Sequence, residues 1–231
     1  MYKLSTKTLS VILLACAPLL ASAQFSANVS LVSNYKFRGQ DQATLGSTSA
    51  VKPALQGGFD YAFSNGFYVG NWNSSVNWLS ANSLEMDVYG GYKGAISKDL
   101  GYDVGVLKYA YPGNAAGNTT EVYGGLSYGP FSAKYSQAIS SDYFAYGSKA
   151  SYLNLAYAQE ISKGLTLKAA VGRTNFKDAI ASPDFTDYSL GVSYDLGEGY
   201  ALGASWIGAS NKASYIGIND SRVVLSISKA M

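Results

Sequence analysis

The sequence has no histidine and only one cysteine in 231 residues. The lack of histidine excludes Ser–His and Cys–His nucleophilic machinery, and it removes the most frequent general acid and base and the commonest zinc ligand. The one cysteine, Cys16, lies in an N-terminal segment that we expect to be removed, so no disulfide framework or cysteine metal site remains. We therefore expect no enzyme activity, no catalytic residue, no metal site and no cofactor.

Charged residues are also scarce. They make up 14% of the chain, against about 25% in an ordinary soluble domain. There are 17 Lys plus Arg and 15 Asp plus Glu, and the signs balance once Lys3 and Lys7 are removed with the N-terminal segment. A neutral chain does not attract nucleic acid, so we expect no nucleic-acid partner.

Long apolar runs are confined to the N-terminus. Lys3 and Lys7 precede an apolar run at 9–20, which ends in the small residues Ala21-Ser22-Ala23. This pattern predicts a secretory signal peptide over 1–23, cleaved after Ala23. The residues around Cys16 loosely resemble a lipoprotein processing site, but no polar tether follows them, so the ordinary signal peptide is the better interpretation. We expect 24–231 to form a single domain.

Apolar and polar residues alternate strictly in runs of about ten residues, which is the signature of strands with one apolar face. Twelve such runs cover 26–38, 54–63, 68–78, 84–93, 100–111, 119–128, 131–139, 151–159, 165–174, 187–196, 200–206 and 222–231. In the third run, Tyr68, Trp72, Val76 and Trp78 form the apolar face, opposite Asn71 and Asn73.

The connections between the runs alternate in length. They are short at 64–66, 95–99, 129–130, 160–164 and 197–199, and longer at 39–52, 140–149 and 177–186. An even number of strands, with short turns at one rim and long loops at the other, is typical of a bacterial outer-membrane barrel. The pattern therefore predicts an all-β, transmembrane, antiparallel up-and-down β-barrel of about twelve strands.

A soluble β-sandwich would show the same alternation with its apolar face turned inward. Two features favour the membrane barrel: a polar face with little charge, and the closure that removes long sheet edges. A third is the aromatic residues near strand ends, where a barrel has interfacial girdles. We expect these to be Tyr35, Phe37, Phe63, Tyr68, Trp78, Tyr92, Tyr102, Tyr128, Phe131 and Tyr188.

Two lysines test this assignment of faces, because Lys108 and Lys229 fall on the apolar side of their strands. A lysine facing lipid at mid-depth costs about 2–4 kcal/mol. Both lie near strand ends, where the side chain reaches the headgroups. A bulge that turns Lys108 inward is the alternative.

Several segments resemble a known family. They are NVSLVSNYKFRGQ (28–40), PALQGGFDYAFSNGFYVGNW (53–72), GYDVGVLKYAYPG (101–113) and EVYGGLSYGPFSAKYS (121–136), and they are similar to the TorF family of porins. The resemblance implies an outer-membrane barrel of a Gram-negative bacterium, with a porin activity that is itself inferred for the family. One departure is the C-terminus, because such barrels generally end in an aromatic residue and this chain ends in Met231.

If the apolar face meets lipid, the other face lines the lumen. The candidate lining residues are Lys36, Arg38, Asp60, Glu85, Asp87, Tyr89, Lys93, Asp103, Tyr109, Tyr111, Glu121, Tyr123, Lys134, Lys168, Asp187, Asp195 and Arg222. Their charges nearly balance, which predicts weak charge selectivity. The tyrosines either contact solutes or simply fill space.

Twelve strands lie between small barrels with filled interiors and large porins with open ones. We expect a narrow porin-like channel for passive diffusion of small polar solutes. The alternative is a closed structural or binding barrel that acts through the loops 39–52 and 177–186. A hydrolase based on Glu85 and Asp87 is a third and weaker possibility, because such i, i+2 pairs are common on alternating strands. The expected location is the cell outer membrane with both termini periplasmic, and the expected partners are outer-membrane lipid, the barrel-assembly machinery and small polar solutes.

Overall fold

A computed structural model describes residues 23–44, 51–178 and 182–231. The predicted signal peptide lies outside these residues except for Ala23, and so does part of the loop at 39–52. Within the described residues, no helix is long and apolar enough to cross a membrane.

Twelve strands form a closed antiparallel barrel, which confirms the predicted fold class. The barrel strands are β1 Gln24–Val32, β4 Ala54–Ala62, β5 Phe67–Ser75, β6 Leu84–Ala95, β7 Leu100–Ala110, β8 Thr119–Tyr128, β9 Phe131–Ala138, β10 Ala150–Ser162, β11 Leu165–Phe176, β12 Phe185–Gly197, β13 Tyr200–Ala209 and β14 Arg222–Ala230. Two short strands, β2 Lys36–Phe37 and β3 Gln40–Asp41, pair with each other inside the first long connection, and a 3-10 turn spans Ala115–Gly117.

Each barrel strand pairs with its neighbours along the chain, and β1 closes the barrel by pairing with both β4 and β14. Closure satisfies the strand edges that an open sheet would leave unpaired. The short connections lie at one rim and the long ones at the other, as the sequence predicts. We call these the turn rim and the loop rim.

Tight turns at the turn rim use glycines in the left-handed region. Gly66 ends the Ser64-Asn65-Gly66 connection with φ +92°, and Gly199 precedes β13 with φ +83°. In the second turn Glu198 also has a positive φ of 52°. Glycine adopts this backbone conformation without steric cost, so these residues define where the hairpins reverse.

The outer wall of the barrel is apolar. Large exposed side chains alternate along most strands, for example Leu190, Val192 and Tyr194 on β12, and Leu190 is 54% exposed. Exposed aromatic residues form a band at the turn rim: Phe25, Tyr61, Phe63, Phe67, Tyr128, Phe131, Tyr194 and Tyr200. The inner wall is polar, with Glu85 and Glu121 each only 1% exposed. The barrel is therefore apolar outside and polar inside, the reverse of a soluble β-sandwich.

The prediction for the first run is wrong beyond Val32. The strand β1 ends there, and the chain turns into the barrel instead of continuing to Arg38. Tyr35 and Phe37 therefore leave the outer face on which they were predicted and pack inside, against the cluster of buried aromatic residues. Inside the barrel the two basic residues of the run find carboxylate partners, because Lys36 pairs with Asp41 and Arg38 pairs with Glu121.

The third run has its two faces inverted. Tyr68 and Val76 are buried inside the barrel, and Trp72 packs inward against Tyr35, while Asn71 and Asn73 alternate with them on the outer side. The two amides satisfy each other and the backbone, because the side chain of Asn73 donates to Asn71 Oδ1 at 2.6 Å and that of Asn71 donates to Asp87 O at 2.9 Å. Mutual hydrogen bonding lowers the cost of a polar group on this wall.

Trp78 is the last of the misplaced girdle residues. It lies beyond the end of β5 and packs against Tyr111, with ring centroids 5.1 Å apart. Lys108 is exposed on the outer face without a bulge, two residues from the end of β7. Lys229 lies at the turn rim, where its ammonium stands over the Tyr200 ring and donates to Glu198 O. Both lysines therefore lie near strand ends, where the side chains were predicted to reach the lipid headgroups.

Candidate functional site

Residues 33–44, which we call the plug, cross the inside of the barrel below the loop rim. Tyr35 contacts Trp72 of β5, and Phe37 contacts Tyr109 of β7, with ring centroids 5.6 and 5.5 Å apart. On the opposite side, a Cβ on Gly39 would lie 2.6 Å from Gly208 O of β13. The plug thus touches both sides of the lumen.

Arg38 is the central anchor of the plug. Its guanidinium makes two hydrogen bonds with the Glu121 carboxylate of β8, Nη1 to Oε1 at 2.9 Å and Nη2 to Oε2 at 2.8 Å. It also donates to the Tyr143 hydroxyl at 2.7 Å and stands over the Tyr152 ring, 4.0 Å from its centroid. The backbone reverses here, because Arg38 and Gly39 both have positive φ. The two parallel hydrogen bonds between Arg38 and Glu121 match the shape of the guanidinium to that of the carboxylate and hold the plug in one position.

A second ion pair holds the far end of the plug. Asp41 accepts a hydrogen bond from Arg222 Nε of β14 at 2.7 Å and lies 3.4 Å from Lys36 Nζ. Lys36 also donates to the backbone oxygens of Gly39, Ile218 and Asp220. Burial lowers the pKa of Lys36, and the Asp41 carboxylate opposes that shift. The ammonium is therefore held by oxygens from the plug and from the loop at 210–221.

Tyrosines connect the plug to a buried carboxylate on β6. Tyr35 and Tyr111 donate to the two oxygens of Glu85 at 2.9 and 2.7 Å. Burial, followed by the charges of Glu85 and Asp87, raises the pKa of Tyr35 well above its ordinary value, so its hydroxyl stays protonated and donates. Asp87 is buried beside Glu85, and its Oδ1 has no hydrogen-bond partner in the described part of the chain.

A cluster of aromatic side chains covers the plug at the loop rim. Phe144 is at its centre, with ring centroids 4.8 Å from Tyr109, 4.5 Å from Tyr143 and 5.3 Å from Phe37. The loop at 139–149 supplies Tyr143 and Phe144, and the loop at 210–221 supplies Tyr215. Edge-to-face contacts of this kind stabilise beyond their area burial, by about 0.5–1.5 kcal/mol per pair. These two loops fold inward and pack against each other through this cluster.

Below the plug, the wall formed by β4–β9 carries bulky polar side chains that bind one another. Tyr68 donates to Asp103 at 2.6 Å and shares a hydrogen bond with the Tyr123 hydroxyl. Tyr89 donates to Asp60 at 2.7 Å. Cations pair with rings on the same wall: Lys93 Nζ lies 4.5 Å from the Tyr68 ring centroid, and Lys134 Nζ lies 3.7 Å from that of Tyr123.

The wall formed by β11–β14 and β1 is built from small residues. Ser205 of β13 pairs with Gly191 of β12, and Ser226 of β14 pairs with Gly203 of β13. A Cβ on either glycine would lie within 2.4 Å of the neighbouring serine hydroxyl. The two walls of the lumen therefore differ in the size of their side chains, which are small on one wall and large on the other.

The seventeen predicted lining residues fall into two groups. Lys36 and Arg38 lie in the plug. The other fifteen are Asp60, Glu85, Asp87, Tyr89, Lys93, Asp103, Tyr109, Tyr111, Glu121, Tyr123, Lys134, Lys168, Asp187, Asp195 and Arg222, and they are buried or half-buried. Within the strands they alternate with exposed apolar residues; Tyr111 directly follows β7. Whether they line a solute path stays a prediction. Tyr89, Tyr109, Tyr111 and Tyr123 each bond to a carboxylate or a tyrosine hydroxyl.

Several residues at this site were not predicted from the sequence. Gly39, Asp41, Trp72, Tyr143 and Phe144 hold the plug, and none was a candidate. One signal was available, because a strand continued to Arg38 would be longer than the others. The loop at 140–149 gave no signal that it folds inward, because the spacing of its aromatic residues does not differ from that of an exposed loop.

Comparison with solved structures defines the class of fold. The chain is similar to the KdgM porin, with a TM-score of 0.60, 10% identity, and coverage of 88% of this chain and 98% of that one. It is similar to the NanC porin, with a TM-score of 0.59, 12% identity, and coverage of 90% and 98%. A structure of the KdgM porin in complex with disordered oligogalacturonate gives a TM-score of 0.57 at 10% identity, covering 90% of this chain and 98% of that one. The chain has the fold of these porins.

The family is shown by sequence. Residues 19–230 match the model of Gcw_chp, described as a bacterial protein of unknown function. The chain therefore belongs to the Gcw_chp family. No curated protein matches the chain. The resemblance to the TorF family stays a prediction.

Proposed function

We propose that the protein is an outer-membrane porin-like channel through which small polar solutes diffuse passively. The observation that carries the proposal is the inverted barrel, with an apolar outer wall and a polar inner wall that is part-exposed along β11–β14 and β1. A closed barrel of this kind satisfies every strand edge, which lipid requires. Similarity to the KdgM and NanC porins supports the architecture, whereas the function itself rests on the two walls.

The plug determines how wide the channel is. It spans the lumen between Trp72 on one side and Gly208 on the other, and Arg38 holds it in the middle. We infer a narrow passage that widens when the plug shifts.

Charges on the inner wall support weak selectivity. Asp103 and Glu121 bond to Tyr68 and Arg38, while Lys93 and Lys134 stand over tyrosine rings. Because acidic and basic side chains both lie on the inner wall in nearly equal number, we expect the net field that a passing ion meets to be small. Neither cations nor anions are strongly favoured.

The same architecture supports a location in the outer membrane. The outer wall meets outer-membrane lipid, and both termini lie beside the turn rim, which we place in the periplasm. The barrel-assembly machinery inserts the chain. Met231 is 66% exposed and exchanges backbone hydrogen bonds with Ala27, so the apolar C-terminal residue is presented on the outer wall where other barrels present an aromatic one.

A second candidate function is a closed barrel that acts through its loops. The aromatic cluster around Phe144 favours this second candidate, because the cluster packs the loops at 139–149 and 210–221 together over the plug. A deletion in the plug separates the two candidates. If the barrel is a channel, replacing 35–42 with a short Gly-Ser linker raises its conductance in a planar bilayer. If it is a closed binding barrel, the side chains of the inner walls still block the lumen, and the conductance does not change.

A further inference from the structure

Free hydrogen-bonding groups in the lumen are concentrated on one wall. Seven inward polar side chains are half-buried there and make no hydrogen bond to any residue that the structure describes. We call this set the polar lane: Ser26, Asn28, Ser30, Ser189, Ser193, Ser205 and Ser226. The neighbouring positions on the same strands, such as Leu31, Leu190 and Leu225, are exposed on the outer wall.

The opposite wall carries mainly bulky polar groups. Its tyrosines bond to carboxylates, as in the Tyr68–Asp103 and Tyr89–Asp60 pairs, and its small hydroxyls are Ser127, Ser132 and Ser136 of β8 and β9. A solute that approached these pairs would have to break an existing hydrogen bond before forming a new one. The polar lane imposes no such cost, because none of the described residues bonds to its side chains.

The polar lane is continuous across neighbouring strands. Its members lie on β1, β12, β13 and β14, and β14 pairs with both β13 and β1. Gly191 and Gly203 alternate with the serines, so no large side chain stands between one hydroxyl and the next. A solute moving along the barrel axis can pass from one hydroxyl to another without losing all its hydrogen bonds.

The charged side chains beside the polar lane are of both signs. Lys168 of β11 is half-buried next to Gly191, its strand partner, and Asp195 lies near the turn rim, where it accepts a hydrogen bond from Gly197 N at 2.7 Å. Arg222 is paired with Asp41 near the loop rim. None of the seven lane residues carries a charge, so the lane residues themselves offer an ionised solute no ion pair.

From this distribution we infer that the polar lane carries uncharged polyhydroxylated solutes, small sugars or polyols; the inference rests on the proposed channel function. A hydroxyl group both donates and accepts, as serine does, so each solute hydroxyl finds a matching group at every step. A carboxylate group only accepts, and none of the seven lane residues supplies a counter-ion for its charge.

Osmotic swelling of proteoliposomes that contain the full mature chain tests the inference. Entry of sorbitol is compared with entry of gluconate, which has the same carbon skeleton length and one negative charge. The triple variant S189A/S205A/S226A removes three lane hydroxyls without adding charge or bulk. Its matched control is S127A/S132A/S136A, which removes three inward hydroxyls of β8 and β9 on the opposite wall.

The wild type should admit sorbitol faster than gluconate. The lane variant should slow sorbitol about twofold to tenfold, the factor for one hydrogen bond of ordinary strength, and the control should match the wild type. Equal rates for the two solutes, or equal slowing by both triple variants, would overturn the lane assignment while leaving the channel intact. A folded barrel that admits neither solute and conducts no ions would refute the channel function itself.

Discussion

Arg38 and Glu121 are 83 residues apart in the chain and form a two-pronged ion pair inside the barrel, with N–O distances of 2.9 and 2.8 Å. Both side chains are almost fully buried, at 8% and 1% exposed. The pair joins the plug to β8, opposite the wall that carries the polar lane. Because this ion pair holds the plug in the lumen, we expect it to control the width of the lumen.

Replacing Arg38 with Met should release the plug. Removing one partner of a buried ion pair costs about 3–5 kcal/mol, because the other charge is left unpaired. The plug can relieve that cost by moving away from Glu121, so ion permeability of proteoliposomes should rise severalfold. Arg173→Ala, which breaks the exposed pair with Asp184 at the loop rim, is the control, since exposed pairs contribute about 0–1 kcal/mol.

The double variant R38M/E121L distinguishes release from general damage. It removes both charges, which often restores stability in a buried site. We expect its permeability to fall back towards that of the wild type. If R38M and the double variant are equally leaky, the ion pair does not hold the plug and the side-chain volume of Arg38 does.

Gly39→Ala should loosen the plug without changing any charge. Gly39 has φ +77°, and an added Cβ would lie 2.6 Å from Gly208 O and 2.9 Å from Ala209 Cβ. The expected result is faster protease cleavage between residues 33 and 52 in the folded protein. Gly217→Ala is the control, because Gly217 has φ +74° with nothing within 4 Å. Both variants share the left-handed penalty of about 1–2 kcal/mol, so only the steric contact differs. Equal cleavage of the two would argue against the tight contact at Gly39.

Leu190→Arg tests which wall meets lipid. Leu190 is 54% exposed near the middle of β12, and an arginine facing the bilayer midplane costs about 2–4 kcal/mol. The folded fraction in urea titrations of lipid-reconstituted protein should fall accordingly. Ser189→Arg, one residue away on the inner wall, should fold like the wild type. The opposite order of stabilities would mean that the apolar wall is packed and not in lipid.

Lys168→Glu should shift the weak ion selectivity towards cations. Lys168 is half-buried on the inner wall, and the substitution changes the charge beside the polar lane by two units. Reversal potentials under a salt gradient should be close to zero for the wild type and shifted for the variant. Lys163→Glu, on the exposed two-residue turn before Leu165, should leave the potential unchanged. A strongly selective wild type would contradict the balance of charges inside the barrel.

Local sequence patterns predicted most of the fold. Alternation along β12, from Asp187 to Asp195, requires one wet and one apolar face, and the hairpin glycines at 197 and 199 place the reversal. Composition then indicated which face is outside, because the polar wall has too few charges for a soluble surface. The number of strands and the two rims followed from these local signals.

The plug and the inverted face of β5 could not be read in the same way. Tyr35 and Phe37 continue the alternation of β1, so periodicity cannot tell a longer strand from a segment that folds inward. On β5, large rings at Tyr68 and Trp72 suggested an outer face, and only the hydrogen bonds of Asn71 and Asn73, to each other and across to Asp87 O, show why the polar side is tolerated outside. The plug depends on partners far apart in the chain, such as Glu121 for Arg38, which no local pattern records.

Single-channel recording of the purified, folded protein in a planar bilayer tests the channel function most directly. We predict small, discrete conductance steps for the wild type, and larger steps when 35–42 are replaced by a short Gly-Ser linker. Silence of both proteins, when both are shown to be folded and inserted, would contradict the proposed function.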